Sequence, residues 1–190
     1  MKDNLSRLRH LPNIITLLRI AVVPGVALTL VQDRYATALL LFLAAGASDM
    51  LDGYIARRFG FSSRLGSILD PVADKLLIIT VAVTLAWQGI IPWWLAAGVV
   101  ARDLVIFGGA STYFVKSGGC DMEPSLLGKA NTCIQIGYVL LLLGHHSLFF
   151  DASTVLPVAL GVTALSTLAS GVHYVIVWSR KGRDLARRKP

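Results

Sequence analysis

Residues 35–88 read YATALLLFLAAGASDMLDGYIARRFGFSSRLGSILDPVADKLLIITVAVTLAWQ. Two long apolar runs, 35–57 and 67–88, flank a short basic piece, 58–64. Each run reaches the roughly 20 mostly apolar residues that a helix needs to cross a bilayer core. Both are too long and too uniformly apolar for the short alternating strands of a membrane barrel. Each also carries aspartates beside the basic piece. Asp49 and Asp52 stand near the end of the first run, Asp70 and Asp74 near the start of the second.

The same apolar pattern extends in both directions. Further runs cover 12–31, 92–115, 125–145 and 154–178, with short polar or turn-forming pieces at 32–34, 88–92, 116–124 and 145–153. The expected architecture is all-α: a polytopic membrane protein of six transmembrane helices in one domain over 1–190. Composition agrees, with 55% hydrophobic and 15% charged residues and a mean hydropathy of +0.66. A soluble domain carries about 45–50% apolar and about 25% charged residues. The two cysteines, Cys120 and Cys133, cannot build a disulfide framework and do not have zinc-site spacing. The first run is too long for a signal-peptide core and is read as a retained span. Before it, Lys2, Arg7 and Arg9 alternate with Leu5, Leu8 and Leu11, the pattern of a short interfacial helix lying on a membrane surface.

Charge is sided. Six spans place both termini on one face, with Lys2, Arg7, Arg9, Arg57, Arg58, Arg64, Lys116, Arg180, Lys181, Arg183, Arg187, Arg188 and Lys189. The other face holds Arg34 alone. The positive-inside rule assigns the basic face to the cytoplasm, where these residues meet anionic headgroups. The net charge of +7 is thereby explained without nucleic acid. This topology suits a bacterial inner membrane, with termini and active site cytoplasmic.

Arg19, Lys75, Arg102, Lys129, Asp49, Asp52, Asp70, Asp74 and Asp103 remain inside the apolar runs. Insertion of one such charge near mid-bilayer costs about 2.5–3.5 kcal/mol, so these are functional candidates by default. Asp49, Asp52, Gly53 and Ala56 fall at offsets 0, 3, 4 and 7, and Gly66, Asp70 and Asp74 at 0, 4 and 8. Each set shares one helical face. An antiparallel pairing of the two helices would gather four carboxylates at one depth. Two anions about 5 Å apart repel by roughly 3 kcal/mol at an effective dielectric near 20. Such a cluster therefore calls for protons or cations. Oxygen ligands without His or Cys select a hard ion. Four aspartates can hold two ions, the arrangement that stabilises entering and leaving oxygens in phosphoryl displacement. Gly53, Gly66 and Ala56 leave room for a bulky ligand, and Arg57 can hold a phosphate.

Asp49-x-x-Asp52-Gly53-x-x-Ala56-Arg57, followed by Gly66-x-x-x-Asp70-x-x-x-Asp74, resembles the signature of the CDP-alcohol phosphatidyltransferases at every fixed position. The resemblance implies a six-helix membrane enzyme, often homodimeric, that transfers a phosphatidyl group from CDP-diacylglycerol to an alcohol and releases CMP. It implies that Asp49, Asp52, Asp70 and Asp74 bind two divalent cations, Mg²⁺ or Mn²⁺. It further implies that Asp74 is the general base, and that Asp52, Gly53, Ala56, Arg57 and Gly66 line the CDP site. Leu11-Pro12-Asn13-Ile14-Ile15-Thr16-Leu17-Leu18-Arg19 is similar to the opening of the branch that makes phosphatidylglycerol phosphate or cardiolipin.

The acceptor is expected to be glycerol-type, either glycerol 3-phosphate or phosphatidylglycerol. Arg19, Lys75, Arg102 and Lys129 are the candidates for holding its phosphate. Asn131 and Arg102-Asp103 look more like the cardiolipin branch than the glycerophosphate one. Inositol phosphate or serine is a more distant acceptor, and an ion or proton transporter using buried aspartates is the competing class. Trp87, Trp93, Trp94 and Trp178 read as interfacial anchors, His145-His146 as a polar outer turn, and Pro71 as a first-turn proline.

Overall fold

The computed structural model describes residues 11–59, 66–117 and 125–187. The described residues form six helices: α1 (Leu11–Val31), α2 (Tyr35–Phe59), α3 (Gly66–Trp87), α4 (Trp93–Ser117), α5 (Leu126–His146) and α6 (Leu156–Arg187). Five of the six apolar runs match their helices to within two residues at either end. The sixth run corresponds to α6, which continues well past residue 178 to Arg187. The interfacial helix expected before Leu11, with Lys2, Arg7 and Arg9, lies outside the described residues.

Among the described residues, three helices hold apolar stretches long enough to cross a membrane: Trp93–Ala110, Leu126–His146 and Leu156–Lys181. The apolar stretches of the other three are shorter: Leu17–Val31, Tyr35–Leu51 and Lys75–Trp87. These are the helices that carry Arg19 and the four motif aspartates, and their stretches are measured over the described side chains only. Large apolar side chains point outward along the helices. Leu165, Leu168 and Val172 on α6, and Leu28 and Val31 on α1, are exposed, as a lipid-facing surface requires.

The chain divides into two compact units, Met1–Ile90 with Leu143–Asp151, and Ile91–Leu142 with Ala152–Pro190. In the first unit α1 packs against both α2 and α3. Its buried stripe is Arg19, Val23, Val26 and Leu30; that of α2 includes Ala38, Phe42 and Ala45; that of α3 includes Leu77, Val81 and Leu85. These spacings of three and four residues are the helical period. At the far end of this unit Gln88 Nε2 donates to the Leu30 carbonyl at 2.7 Å and to Asp33 Oδ1 at 3.1 Å. The Tyr35 hydroxyl donates to the same carboxylate oxygen at 2.9 Å, so the α1–α2 turn and the end of α3 are tied together.

Three helices end alike. Asp33, Gly89 and Leu148 have φ of 57°, 73° and 59°. In each case the following residue's N–H reaches back five residues while the left-handed residue's own N–H reaches back three. This is the Schellman cap. Glycine is ordinary there and aspartate tolerable; a leucine carries strain of about 1 kcal/mol.

In the second unit α4 packs on α6. Gly109 lets the Trp178 indole lie on the α4 backbone, where any Cβ would collide with it. Trp178 thus packs on α4 from within α6, near the end of that helix's apolar stretch at Lys181, while Trp87, Trp93 and Trp94 stand exposed at helix ends. A Gly109→Val variant should lose thermal stability in detergent, whereas Gly108→Val, with open space around it, should melt within a few degrees of the wild type. Two expectations are corrected. His145 and His146 form the last turn of α5 rather than a loop, with the His146 ring tilted against that of Tyr35 at 5.0 Å between centroids. Pro71 falls in the second turn of α3, because the helix begins at Gly66.

Candidate functional site

The first unit carries the acidic motif on two unbroken helices. Asp49, Asp52, Gly53, Ala56 and Arg57 are on α2, and Gly66, Asp70, Asp74 and Lys75 on α3. The helical spacing required by the sequence reading is therefore present in the backbone. Asp49 and Asp52 continue the stripe of Ala38, Phe42 and Ala45; Asp70 and Asp74 precede Leu77, Val81 and Leu85 at the same period. The side chains of 52–59, 66–72 and 74 lie outside the described set. The positions of Asp52, Gly53, Ala56, Arg57, Gly66, Asp70 and Asp74 are thus fixed along their helices only. Among the described residues no group of three or more His, Cys, Asp or Glu is placed to hold a metal.

Asp49 is described, and it has a partner that sequence reasoning assigned elsewhere. Arg19, on the packed stripe of α1, meets it at 2.9 Å between a guanidinium nitrogen and Oδ1. The Arg19 side chain is fully sealed, while that of Asp49 is 40% exposed. The cation thus belongs to the interior of the helix packing and the carboxylate to its edge. Lys75, beside the motif on α3, is half-buried.

The other two acceptor candidates sit in the second unit. Arg102 is 4% exposed and its donors are occupied. Nε and NH2 donate to Ser170 Oγ at 3.1 and 3.0 Å, NH2 to the Gly128 carbonyl at 3.2 Å, and NH1 to Asp103 Oδ1 at 2.6 Å. The Tyr174 ring lies 5.7 Å from its guanidinium carbon. Gly128 is required at this crossing, since a Cβ there would stand 2.6 Å from the Tyr174 hydroxyl. Lys129, the next residue, is exposed.

A polar seam runs from this arginine along α5 and α6. Ser166 and Thr167 hydroxyls donate to Asn131 Oδ1 at 2.8 and 3.2 Å, and Gln135 Nε2 donates to Thr167 Oγ1 at 3.2 Å. Asn131 was noticed in the sequence, but the α6 hydroxyls were not. Their signal was present: Thr163, Ser166, Thr167 and Ser170 recur at helical spacing in an otherwise apolar run.

The family model for CDP-alcohol phosphatidyltransferase matches residues 9–178. The chain belongs to the CDP-alcohol phosphatidyltransferase family. It is 32% identical, over 87% of its length, to a Schizosaccharomyces pombe protein described as a cardiolipin synthase (CMP-forming) and mitochondrial hydrolase fusion, of which it covers 30%. It is 31% identical, over 93% of its length, to a probable cardiolipin synthase (CMP-forming) of Drosophila melanogaster, covering 60% of it. It is also 32% identical, over 90% of its length, to a chloroplastic CDP-diacylglycerol–glycerol-3-phosphate 3-phosphatidyltransferase of rice, covering 57%. The chain thus spans between about a third and three fifths of these relatives.

Proposed function

We propose that the protein works in phospholipid biosynthesis, transferring a phosphatidyl group from CDP-diacylglycerol to a glycerol-type acceptor with release of CMP. The observation that carries this reading is the family match over 9–178, which encloses an acidic motif complete at every position. Six membrane-spanning helices in one catalytic domain, cytoplasmic termini, a bacterial inner membrane and a homodimer complete the proposal. The sided distribution of basic residues supports the orientation.

Asp49, Asp52, Asp70 and Asp74 would hold two divalent ions, Mg²⁺ or Mn²⁺; the all-carboxylate donor set fits hard ions, and a guanidinium already sits against Asp49. Bound there, the ions would withdraw charge from the donor diphosphate and stabilise CMP as it leaves. Asp52, Gly53, Ala56, Arg57 and Gly66 would bind the cytidine diphosphate moiety. Asp74 takes the acceptor hydroxyl proton as that oxygen bonds to the phosphorus of the diacylglycerol phosphate, and the bond from that phosphorus to the CMP oxygen breaks. A site at headgroup level leaves the acyl chains in lipid and the nucleotide in water.

Phosphatidylglycerol is the acceptor we favour, because Arg102-Asp103 and Asn131 resemble the cardiolipin branch and two of the three relatives above are described as cardiolipin synthases. Lys75, half-buried beside the motif, and Lys129, exposed, suit an acceptor phosphate better than Arg19 and Arg102, whose guanidinium groups are engaged inside the protein. The test is CMP release by the purified protein from CDP-diacylglycerol with Mg²⁺ or Mn²⁺. Glycerol 3-phosphate, phosphatidylglycerol, inositol phosphate and serine are supplied in parallel. Phosphatidylglycerol should support release and EDTA should abolish it. Release with glycerol 3-phosphate alone moves the protein to the other glycerol branch; no release with any acceptor overturns the proposal.

A further inference from the structure

We infer that Arg19 is the resident counter-ion of the acidic cluster: a positioning residue that holds Asp49 and makes the clustered carboxylates tolerable before any divalent ion binds. The inference rests on the metal-site reading above and adds to it a role for the first helix. Arg19 lies in the buried stripe Arg19-Val23-Val26-Leu30 of α1, the helix that packs against both acidic helices. A sealed guanidinium is expensive to bury unless it meets a charge, and it meets Asp49 at 2.9 Å. Its side chain has no exposure, whereas Asp49 keeps 40% of its own. A residue that grips an incoming headgroup phosphate must be reachable; this one is enclosed, and the group it holds is at the edge. Fixing one carboxylate oxygen through α1 leaves the rest of that carboxylate open to an ion.

A guanidinium and a divalent ion then serve the same carboxylates in the same sense, each offsetting their mutual repulsion. Removing the first should make the protein lean harder on the second. The experiment compares wild type, Arg19→Gln and Arg19→Lys in detergent, each melted in EDTA and in Mn²⁺, with Mn²⁺ binding followed by its electron paramagnetic resonance signal. In EDTA, Arg19→Gln should melt well below wild type. In Mn²⁺ much of the deficit should disappear, so that the metal-induced rise exceeds the wild-type rise by about 5 °C or more. Mn²⁺ should bind the variant more tightly, by about tenfold, because a fixed positive charge near the ion is gone. The Michaelis constant for the acceptor should stay close to that of wild type.

A wild type that neither binds Mn²⁺ nor melts higher with it overturns the metal reading and this inference with it. A wild type that responds, beside an Arg19→Gln variant whose deficit is equal with and without Mn²⁺, overturns the inference alone and makes Arg19 a packing residue. A raised acceptor Michaelis constant with unchanged metal response overturns it in favour of acceptor binding. If the glutamine variant cannot be isolated, Arg19→Lys decides. Lysine keeps the positive charge, so its metal-induced rise should match that of wild type, and a rise that exceeds it by about 5 °C or more overturns the inference.

Discussion

An Asp74→Asn variant is expected to lose CMP release by about 10³-fold or more while keeping its fold. The amide is nearly isosteric with the carboxylate but cannot accept the acceptor's proton, and general bases typically contribute about 10²–10⁴-fold. The same change removes one of the proposed anionic ligands, so metal affinity should fall as well. Both effects act on the reaction, whereas the apolar stripe of Leu77, Val81 and Leu85 that packs α3 is untouched. Melting in detergent should therefore stay within a few degrees of wild type. Turnover within a few-fold of wild type would remove Asp74 as the base and leave the proton without an assigned destination.

That expectation needed little from the three-dimensional structure, and the reason is physical. In a bilayer protein the apolar runs report helices almost directly, since each span must satisfy its own backbone hydrogen bonds. Helix ends were legible where a turn signal interrupts a run, as at Asp33 and Gly89. The α5 end was legible as well, from the polar piece 145–153, but the left-handed Leu148 beyond it was not, because leucine gives no local warning of such a cap. The acidic face was legible because charge is so rare in such segments that its spacing stands out. Pairing across helices was not. Arg19 and Asp49 lie on different helices, and nothing in the periodicity of either says that they meet. Both were read as functional charges, but only the coordinates show one sealed against the other. The α6 hydroxyls were overlooked for the opposite reason: serine and threonine are common enough in membrane helices that a stripe of them draws no notice without its partners on α5.

The polar seam supports a prediction that separates a buried charge from its pairing. Arg102→Leu should destabilise the folded protein by about 3 kcal/mol or more, because removing one member of a buried pair takes this counter-charge from the other. Here that partner is Asp103, 6% exposed and bonded at 2.6 Å. Ser170 and the Gly128 carbonyl lose their donor at the same time. Adding Asp103→Asn to Arg102→Leu should therefore recover part of the loss, although Asp103→Asn alone costs stability. The coupling between the two sites should be at least about 1 kcal/mol, within the range for residues that share one network. Unfolding of the three variants and wild type in a detergent-to-denaturant titration measures it. Additive losses would mean that Asp103 is neutral in the folded protein or compensated elsewhere. A near-wild-type Arg102→Leu would mean that the arginine contributes nothing to the packing of α4 against α6, and would return it to the set of residues free to meet a substrate.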